Sequence, residues 1–399
     1  MFGRIILLII LLFISIINKR KNYDLKPKII RYNKFKQKNI SIKKIEENLM
    51  PFLLYAKSIK EGNFSKISYN KSYSNPKVSF IASVFNKEIY LNSFISSMQL
   101  QDLKEIEIIL VDDFSADNSF KIINNFIKRD KRIKMIKNKK NMGTLYSRAI
   151  GVNLAKGNYY IFVDSDDIIL KKGILEAYHH IVKYNLDIVQ FLSIHQKNQT
   201  IYTTKYIYKY KNVIYQPILH YIFYCNSSGF ENNTALWDKL VKNKVVFKSL
   251  KYIGQKFIRN RIIIENDVIL LYTIFKMAES YQFIESLGYY YFVSNQDSIS
   301  NTWNNQEKSN QIIYSVLTNI KFLYEKSDNT FYDKYFCIFK VKQSFKRYKK
   351  ILKYAVKQFD FMKNLFNTLF NSEIISNKDK LELIKIYLAI FNLDGSIRE

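Results

Sequence analysis

The feature that most constrains this chain is a short apolar run that ends abruptly in acids. Residues Tyr159–Val163 read Y-Y-I-F-V, and Asp164, Asp166 and Asp167 follow at once. A continuous apolar run of this length is typical of a strand buried on both faces, in a sheet covered by helices. Three carboxylates beyond such a strand repel one another unless positive charge lies beside them, and a hard cation such as Mg²⁺ or Mn²⁺ is the usual source. The alternative is a polar turn in which Asp166 or Asp167 caps the next helix.

Strand-like and helix-like segments alternate from Lys77 onward. The pattern predicts strands at 78–85, 106–111, 133–136, 159–164 and 187–192, and helices at 88–100, 118–128, 144–155 and 173–184. Repeated β-α units indicate an α/β fold with a mostly parallel sheet covered by helices. Ligands of such sheets bind beyond the carboxyl ends of the strands, where Asp112, Asp113 and Asp164–Asp167 fall.

Basic residues are in large excess, and the net charge is +29. Between Asn18 and Lys77 the chain carries sixteen Lys or Arg residues and four acids, which is typical of a stem or linker. Such charge attracts anionic membranes, nucleic acids or phosphorylated substrates without choosing among them. The basic residues form no recognisable nucleic-acid-binding module, so we expect no nucleic-acid partner. The two Cys and four His lack zinc-ligand spacing.

The N-terminal segment Ile5–Ile17 is thirteen residues long and has no charged side chain. As a helix it would span about 20 Å, which is short of a bilayer core but close to the apolar part of a signal peptide. Asn18, Lys19, Arg20 and Lys21 follow it, instead of the small residues of a cleavage site. We therefore expect a membrane protein with a single uncleaved N-terminal anchor; a cleaved signal and a buried core helix are the alternatives. The membrane side stays open between the secretory pathway and the cytoplasmic face.

Three segments, in this order, resemble the motifs of family 2 glycosyltransferases. V-S-F-I-A-S-V-F-N (Val78–Asn86) is similar to the family's V-S-V-I-I-P-x-Y-N, and V-D-D-F-S-A-D-N-S (Val111–Ser119) is similar to V-D-D-G-S-x-D-x-T. The segment Asn141–Asp167 resembles N-x-G-x-x-x-A-R-N-x-G-x-x-x-A-x-G-x-Y-I-x-F-L-D-x-D-D, with Ala149 in place of the second Asn. The resemblance implies a GT-A fold, which is a Rossmann-like sheet that binds a nucleotide-sugar donor.

The resemblance also implies roles for residues in and near the acidic clusters. Asp113 would accept a hydrogen bond from the nucleobase, Asp164 would meet the ribose or the water shell of a metal, and Asp166 would coordinate Mn²⁺ or Mg²⁺. Phe85, where the family has Tyr, would lie against the base, and core packing is its alternative. Arg148 would reach the nucleotide, and its alternative is an ion pair on the helix surface.

A glycosyl transfer needs a base that takes the proton of the attacking hydroxyl. By resemblance to the family's E-D-x-x-L/F motif, Asp267 would be this base, with Asn266 at the usual Glu and Glu265 as the reserve. The alternative is that Asp267 only caps a helix. The segment A-L-W-D-K-L-V resembles the W-x-K-L segment that precedes the base in bacterial-type members. Its Trp237 would line the acceptor pocket or pack in the core.

These patterns predict an anchor at 1–18, a basic stem at 19–76, a GT-A domain at 77–305 and a helical, basic C-terminal extension at 306–399. The resemblance implies inverting, metal-dependent transfer of a hexose or N-acetylhexosamine from a UDP-sugar to a glycan, lipid or protein acceptor. The Q-x-x-R-W motif of polymerising synthases is absent, which favours transfer of one sugar. The alternative is a catalytically silent GT-A domain that serves as a membrane-bound scaffold, because Asn266 and Val293 replace the family's Glu and Arg.

Overall fold

A computed structural model describes residues 68–197, 200–203, 213–216, 235–262, 264–292 and scattered positions from 311 to 326. The strands in these ranges are β1 Val78–Val84, β2 Ile106–Asp112, β3 Ile133–Lys137, β4 Tyr159–Asp164, β5 Ile168–Ile169, β6 Ile188–Lys197, β7 Thr200–Thr203, β8 Ile214–Tyr215, β9 Lys239–Lys242 and β10 Ser280–Phe292. The helices are α1 Glu88–Gln99, α2 Ser119–Ile127, α3 Thr144–Leu154, α4 Gly173–Lys183, α5 Asn243–Ile253, α6 Gln255–Ile258 and α7 Asn266–Met277.

The first part of the chain forms a parallel sheet in the order β3-β2-β1-β4. β1, β2 and the apolar part of β4 are buried on both faces, because apolar residues occupy nearly every position of these strands. Alternate residues of β1 enter different cores: Ile81 packs with one cluster, and Phe80 and Ala82 pack with the other. The predicted α/β fold is confirmed.

The second part extends the same sheet with both strand directions, in the order β4-β9-β6-β10-β5. β9 runs antiparallel to β4 and β6, and β10 runs parallel to β6 but antiparallel to the two-residue strand β5. The pairing of Tyr289 with Ile169 brings β10 directly beside the acidic turn that follows β4. Gly173 permits the start of α4 to lie close to β10, since a Cβ there would lie 2.3 Å from the Leu287 carbonyl oxygen.

The prediction of a membrane protein held by a single N-terminal anchor requires correction. Among the residues described above, none lies in a helix that is both long and apolar enough to cross a membrane. Helices α1 and α7 have 12 residues each, and a helix of this length spans about 18 Å, against roughly 30 Å for a bilayer core. The segment Ile5–Ile17, most of the predicted stem and most of the C-terminal region lie outside the described ranges.

Candidate active site

Both acidic clusters lie at one edge of the parallel sheet, on either side of β1. β1 pairs with β2 as far as Val84 and Asp112, and with β4 as far as Ser83 and Asp164. The carboxyl ends of three neighbouring parallel strands therefore meet there. This is the edge at which ligands of open α/β sheets bind.

Arg148, in the second turn of α3, joins the two sides of this site. Its side chain is only 2% exposed, and its guanidinium donates to Asp164 Oδ1 at 2.8 Å and to Asn266 Oδ1 at 2.7 Å. A further short hydrogen bond and ion pair runs to Asp267 Oδ1, at the start of α7. One buried cation thus holds the carboxylate at the end of β4 next to the carboxylate that opens α7.

The charged side chains of this site shift one another's pKa values. Burial raises the pKa of Asp164 to about 7; the neighbouring Asp267 and Asp166 carboxylates raise it as well, and Arg148 opposes the rise. Burial would lower the pKa of Arg148, but the carboxylates of Asp267 and Asp164 outweigh it and raise that pKa. Arg148 therefore stays charged.

A second cation, Lys87, contacts the acidic turn from the start of α1. Its Nζ lies 2.7 Å from Asp166 Oδ2, and both side chains are about one-fifth exposed. Burial lowers the pKa of Lys87, yet Asp166 and its acidic neighbours outweigh this and raise it, so the pair is ionic. Within the described part of the chain, no group of three or more His, Cys, Asp or Glu side chains is arranged to hold a metal ion.

Comparison with known proteins shows what the region of this site is similar to. Residues 79–233 match the sequence profile described as Glycosyl transferase family 2. This part of the chain is therefore similar to a family 2 glycosyltransferase domain. This match contains Asp113, Arg148, Asp164 and Asp166, and the candidate base Asp267 lies beyond it.

Curated relatives of the glycosyltransferase domain are bacterial proteins. An uncharacterized glycosyltransferase of Haemophilus influenzae is 47% identical over 94 residues, which cover 24% of this chain and 38% of that protein. The cholesterol galactosyltransferase of Borreliella burgdorferi is 29% identical over 224 residues, or 53% of this chain and 59% of that protein. The GalNAc(5)-diNAcBac-PP-undecaprenol beta-1,3-glucosyltransferase of Campylobacter jejuni is 38% identical over 96 residues, which cover 24% of this chain and 31% of that protein. Each match therefore spans less than two thirds of the relative's length.

A solved structure supports the fold of the glycosyltransferase domain. The crystal structure of Staphylococcus aureus TarS superposes with a TM-score of 0.56 at 16% sequence identity. The match covers 80% of this chain and 54% of that one. At this identity the likeness concerns the fold alone.

Asp113 of the glycosyltransferase domain is buried and holds a loop. Its Oδ1 accepts hydrogen bonds from the Asn138 amide at 2.7 Å and the Met142 N–H at 2.8 Å, and its Oδ2 accepts one from the Gly143 N–H at 2.8 Å. Gly143 has a φ of 89°, and a Cβ there would approach the Ile262 carbonyl oxygen to 2.9 Å, so the turn requires glycine. Asp113 thereby fixes the start of α3, which carries Arg148. Its predicted hydrogen bond to a nucleobase stays a prediction.

Two exposed phenylalanines follow the carboxyl ends of β1 and β2. Phe85 is 38% exposed, which argues against core packing and leaves its predicted contact with a base as a prediction. Phe114 is 51% exposed and has a φ of 67°, a conformation rare for a bulky residue. It stands where the family pattern V-D-D-G-S has glycine. The sequence alone shows this departure from the family pattern.

The residues at the start of α7 take distinct positions. Glu265 has a φ of 53° and occupies the N-cap position without a capping hydrogen bond from its side chain. Asp267 lies inside the first turn and pairs with Arg148, so the alternative that Asp267 only caps the helix is wrong. Asn266 takes part in the same cluster through its side-chain oxygen. The assignment of Asp267 as the base, with Glu265 in reserve, stays a prediction.

Trp237 lies among aromatic residues of β10. Its ring stacks on Tyr289 at 4.6 Å and on Tyr291 at 5.2 Å between centroids, and it is 7% exposed. It therefore packs against the strand that supports the acidic turn, and its predicted place in an acceptor pocket stays a prediction. Asp167 does not cap the next helix: β5 follows it, and its carboxylate accepts a hydrogen bond from Tyr289.

Proposed function

We propose that this protein transfers a single sugar from a nucleotide-sugar to an acceptor hydroxyl, and that the donor is a UDP-sugar. The transfer inverts the configuration at the anomeric carbon and uses a divalent cation. The observation that carries the proposal is the cluster in which Arg148 joins Asp164 to Asp267. A donor-binding acid and a candidate base, 103 positions apart in the numbering, share one guanidinium at the ligand-binding edge of the sheet.

The acids of this edge fit a divalent cation. Three carboxylates, Asp164, Asp166 and Asp267, face two side-chain cations, Arg148 and Lys87. Burial raises the pKa of Asp164 most, and the neighbouring carboxylates of Asp267 and Asp166 add to the rise. Mg²⁺ is commonly held by one or two carboxylates together with substrate phosphates, so a complete protein cage is not required. Asp166 would hold the ion, and Asp164 would meet its water shell or the ribose.

Each residue would then have one task. When bound, the cation would neutralise the charge that develops on the leaving pyrophosphate. Asp267 would accept the proton of the attacking hydroxyl, on the face of the sugar opposite the leaving group. Arg148 binds Asp267 through Oδ1, so the other oxygen, Oδ2, would take the proton. Phe85 would lie against the nucleobase. Asp113 would accept a hydrogen bond from the nucleobase, because its carboxylate oxygens have lone pairs that the existing hydrogen bonds do not use.

Two named relatives suggest the class of acceptor. One relative is a cholesterol galactosyltransferase, and the other is named for an undecaprenol-linked glycan. Both names specify acceptors that are lipids or are carried on lipids. We therefore favour a lipid or lipid-linked acceptor over a protein, and a hexose as the donor sugar.

The test is a transfer assay with UDP-hexoses and UDP-N-acetylhexosamines, with cholesterol and undecaprenyl-pyrophosphate glycans as acceptors, in Mn²⁺, Mg²⁺ or chelator. We expect Asp267→Asn to lower the rate of transfer roughly 10²–10⁴-fold while UDP still binds, as for the loss of a general base. Asp166→Asn should weaken UDP binding in Mn²⁺ and remove its metal dependence. The matched control is Asp102→Asn, which changes a carboxylate of similar exposure in an ion pair with Lys171.

The two variants test separate assignments. Full transfer by Asp267→Asn would reject Asp267 as the base, and Glu265→Gln would then be assayed in the same way. Metal-independent UDP binding that Asp166→Asn leaves unchanged would reject Asp166 as the metal ligand.

One observation favours the silent scaffold as the second candidate. Arg148 and Lys87 already pair with the carboxylates of Asp267 and Asp166, the two groups that the transferase needs as its base and its metal ligand. If the protein binds UDP but yields no product with any donor and acceptor of the screen, this candidate replaces the transferase.

A further inference from the structure

A buried tyrosine of β10 contacts the acidic turn from within the protein. Tyr289 is fully buried, and its hydroxyl lies between two groups of the turn. The N–H of Asp164 donates to this hydroxyl at 3.0 Å, and the hydroxyl donates to Asp167 Oδ2 at 2.9 Å. We propose that Tyr289 is a positioning residue of the donor site, whose hydroxyl sets the orientation of the turn that presents Asp164 and Asp166. This inference rests on the proposed function.

The direction of both hydrogen bonds follows from the chemistry of the partners. An ionised carboxylate only accepts, so the hydroxyl hydrogen of Tyr289 points to Asp167. An N–H only donates, so a lone pair of the same oxygen faces Asp164. Burial raises the pKa of Tyr289 well above its ordinary value, and the nearby carboxylates add to the rise, which keeps the hydroxyl protonated. A phenylalanine in this place could make neither bond.

The ring that carries this hydroxyl is held on several sides. Trp237 stacks on the ring of Tyr289 with an interplanar angle of 14°. The backbone of Tyr289 pairs with Ile169 of β5. The preceding residue, Gly288, accepts a hydrogen bond from the Leu170 N–H at 2.9 Å. The hydroxyl is therefore a fixed point against which the turn is ordered.

Two acids of the turn are bound by cations that belong to two different helices, so an additional contact is required to fix the orientation of the turn. Asp164 Oδ1 is bound by Arg148 of α3, and Asp166 Oδ2 is bound by Lys87 of α1. The backbone of the turn adds one internal bond, from the Asp167 N–H to the Asp164 carbonyl. Loss of the Tyr289 hydroxyl would leave the buried Asp167 carboxylate and the Asp164 N–H with one partner fewer each, and the turn would occupy several orientations.

The experiment compares Tyr289→Phe with Tyr281→Phe. Tyr281 lies on the same strand, is 1% exposed, and its hydroxyl donates to Gln190 Oε1 at 2.7 Å, away from the acidic turn. Each substitution removes one buried hydroxyl, and Tyr289→Phe should cost more stability because it loses two hydrogen bonds, one of them to a carboxylate. Two quantities are measured in the full chain: hydrogen exchange of the amides at 160–169, and the Kd of UDP in Mn²⁺ by calorimetry.

In Tyr289→Phe we expect exchange of the Asp164 amide to accelerate about tenfold or more, and the Kd of UDP to rise about tenfold, as for the loss of a hydrogen bond to a charged group. In Tyr281→Phe both quantities should stay within about twofold of the wild type. Equal exchange at 160–169 in the two variants would overturn the inference, even if UDP binds. Absence of UDP binding by the wild type would instead reject the proposed function, and the exchange data would still decide the role of Tyr289.

Discussion

Replacing Arg148 by methionine is the most informative change in the site. Methionine keeps much of the length of the side chain and removes the guanidinium that bridges Asp164, Asn266 and Asp267. The carboxylates of Asp164 and Asp267 then face each other without the guanidinium that they share. We expect a loss of stability and a loss of transfer activity.

The loss of stability follows from the burial of the three charges. Removing one partner of a buried ion pair costs about 3–5 kcal/mol. The guanidinium is buried, but the side chains of Asp164 and Asp267 keep 32% and 29% of their exposure, so water offsets part of this cost. We expect the free energy of unfolding to fall by roughly 2–3 kcal/mol.

The pH dependence of this loss has a definite sign. Arg148 opposes the rise in the pKa of Asp164, which is about 7 with the guanidinium present. In Arg148→Met this pKa is higher, so the folded variant binds more protons than the folded wild type above neutral pH. The deficit in stability should therefore be larger at pH 8 than at pH 6.

A second buried arginine provides the control. Arg132 pairs with Asp130, both side chains are fully buried, and the two residues lie at the start of β3, away from the acidic turn. Arg132→Met should lower the free energy of unfolding by about as much or more, roughly 3–5 kcal/mol. Urea unfolding at pH 6 and pH 8, together with the transfer assay below the unfolding transition, separates the two variants. If folded Arg148→Met keeps the kcat/KM of folded Arg132→Met, the guanidinium has no role in the site and the reasoning is refuted.

Two further predictions concern single charges. Lys87→Gln should tighten Mn²⁺ binding to the donor-free protein roughly fivefold, because the ammonium that pairs with Asp166 no longer has to be displaced; unchanged or weaker binding in a calorimetric titration would count against Asp166 as the metal ligand. Burial lowers the pKa of His195 from 6.5 to about 4, so the unfolded chain binds this proton first as the pH falls. The wild type should therefore lose roughly 2 kcal/mol more stability than His195→Gln between pH 7.5 and pH 5; parallel urea-unfolding data for the two proteins would contradict this assignment.

The first four strands could be predicted to within two residues, because three of them are mostly apolar and the short strand β3, I-K-M-I-K, keeps apolar residues at three of its five positions. The later strands could not be predicted as well, because their extent depends on hydrogen bonds from neighbouring strands. The predicted strand at 187–192 continues to Lys197, because β7 pairs with the residues of β6 from Ile194 to Lys197. β5 has two residues and β9 has four, which is too short for any periodic pattern. Both exist because neighbouring strands offer them hydrogen bonds.

The acids of the site were easier to predict than the cations. Asp113, Asp164 and Asp166 directly follow or end predicted parallel strands, and such strands bring their carboxyl ends to one edge. Lys87 reaches Asp166 across 79 positions, and Arg148 reaches Asp267 across 119. Neither pair has a spacing that a single sequence can reveal. Arg148 was predicted to reach the nucleotide, and no sequence feature pointed to the bridge between two carboxylates.

The two cations of the site, Arg148 and Lys87, reduce the need for a metal ion in the free protein. In the sequence, three neighbouring acids at the end of a strand demanded an external cation. In the structure, Arg148 and Lys87 already pair with the carboxylates of Asp164, Asp166 and Asp267, so part of the negative charge is neutralised from within the protein. A donor pyrophosphate would add about two more negative charges, so the need for a divalent ion arises chiefly when the donor binds. Weak metal binding by the free protein is therefore compatible with metal-dependent transfer. Lys87→Gln removes one of the two internal cations, and for this reason its effect on Mn²⁺ affinity separates a metal ligand at Asp166 from a carboxylate that serves only in an ion pair.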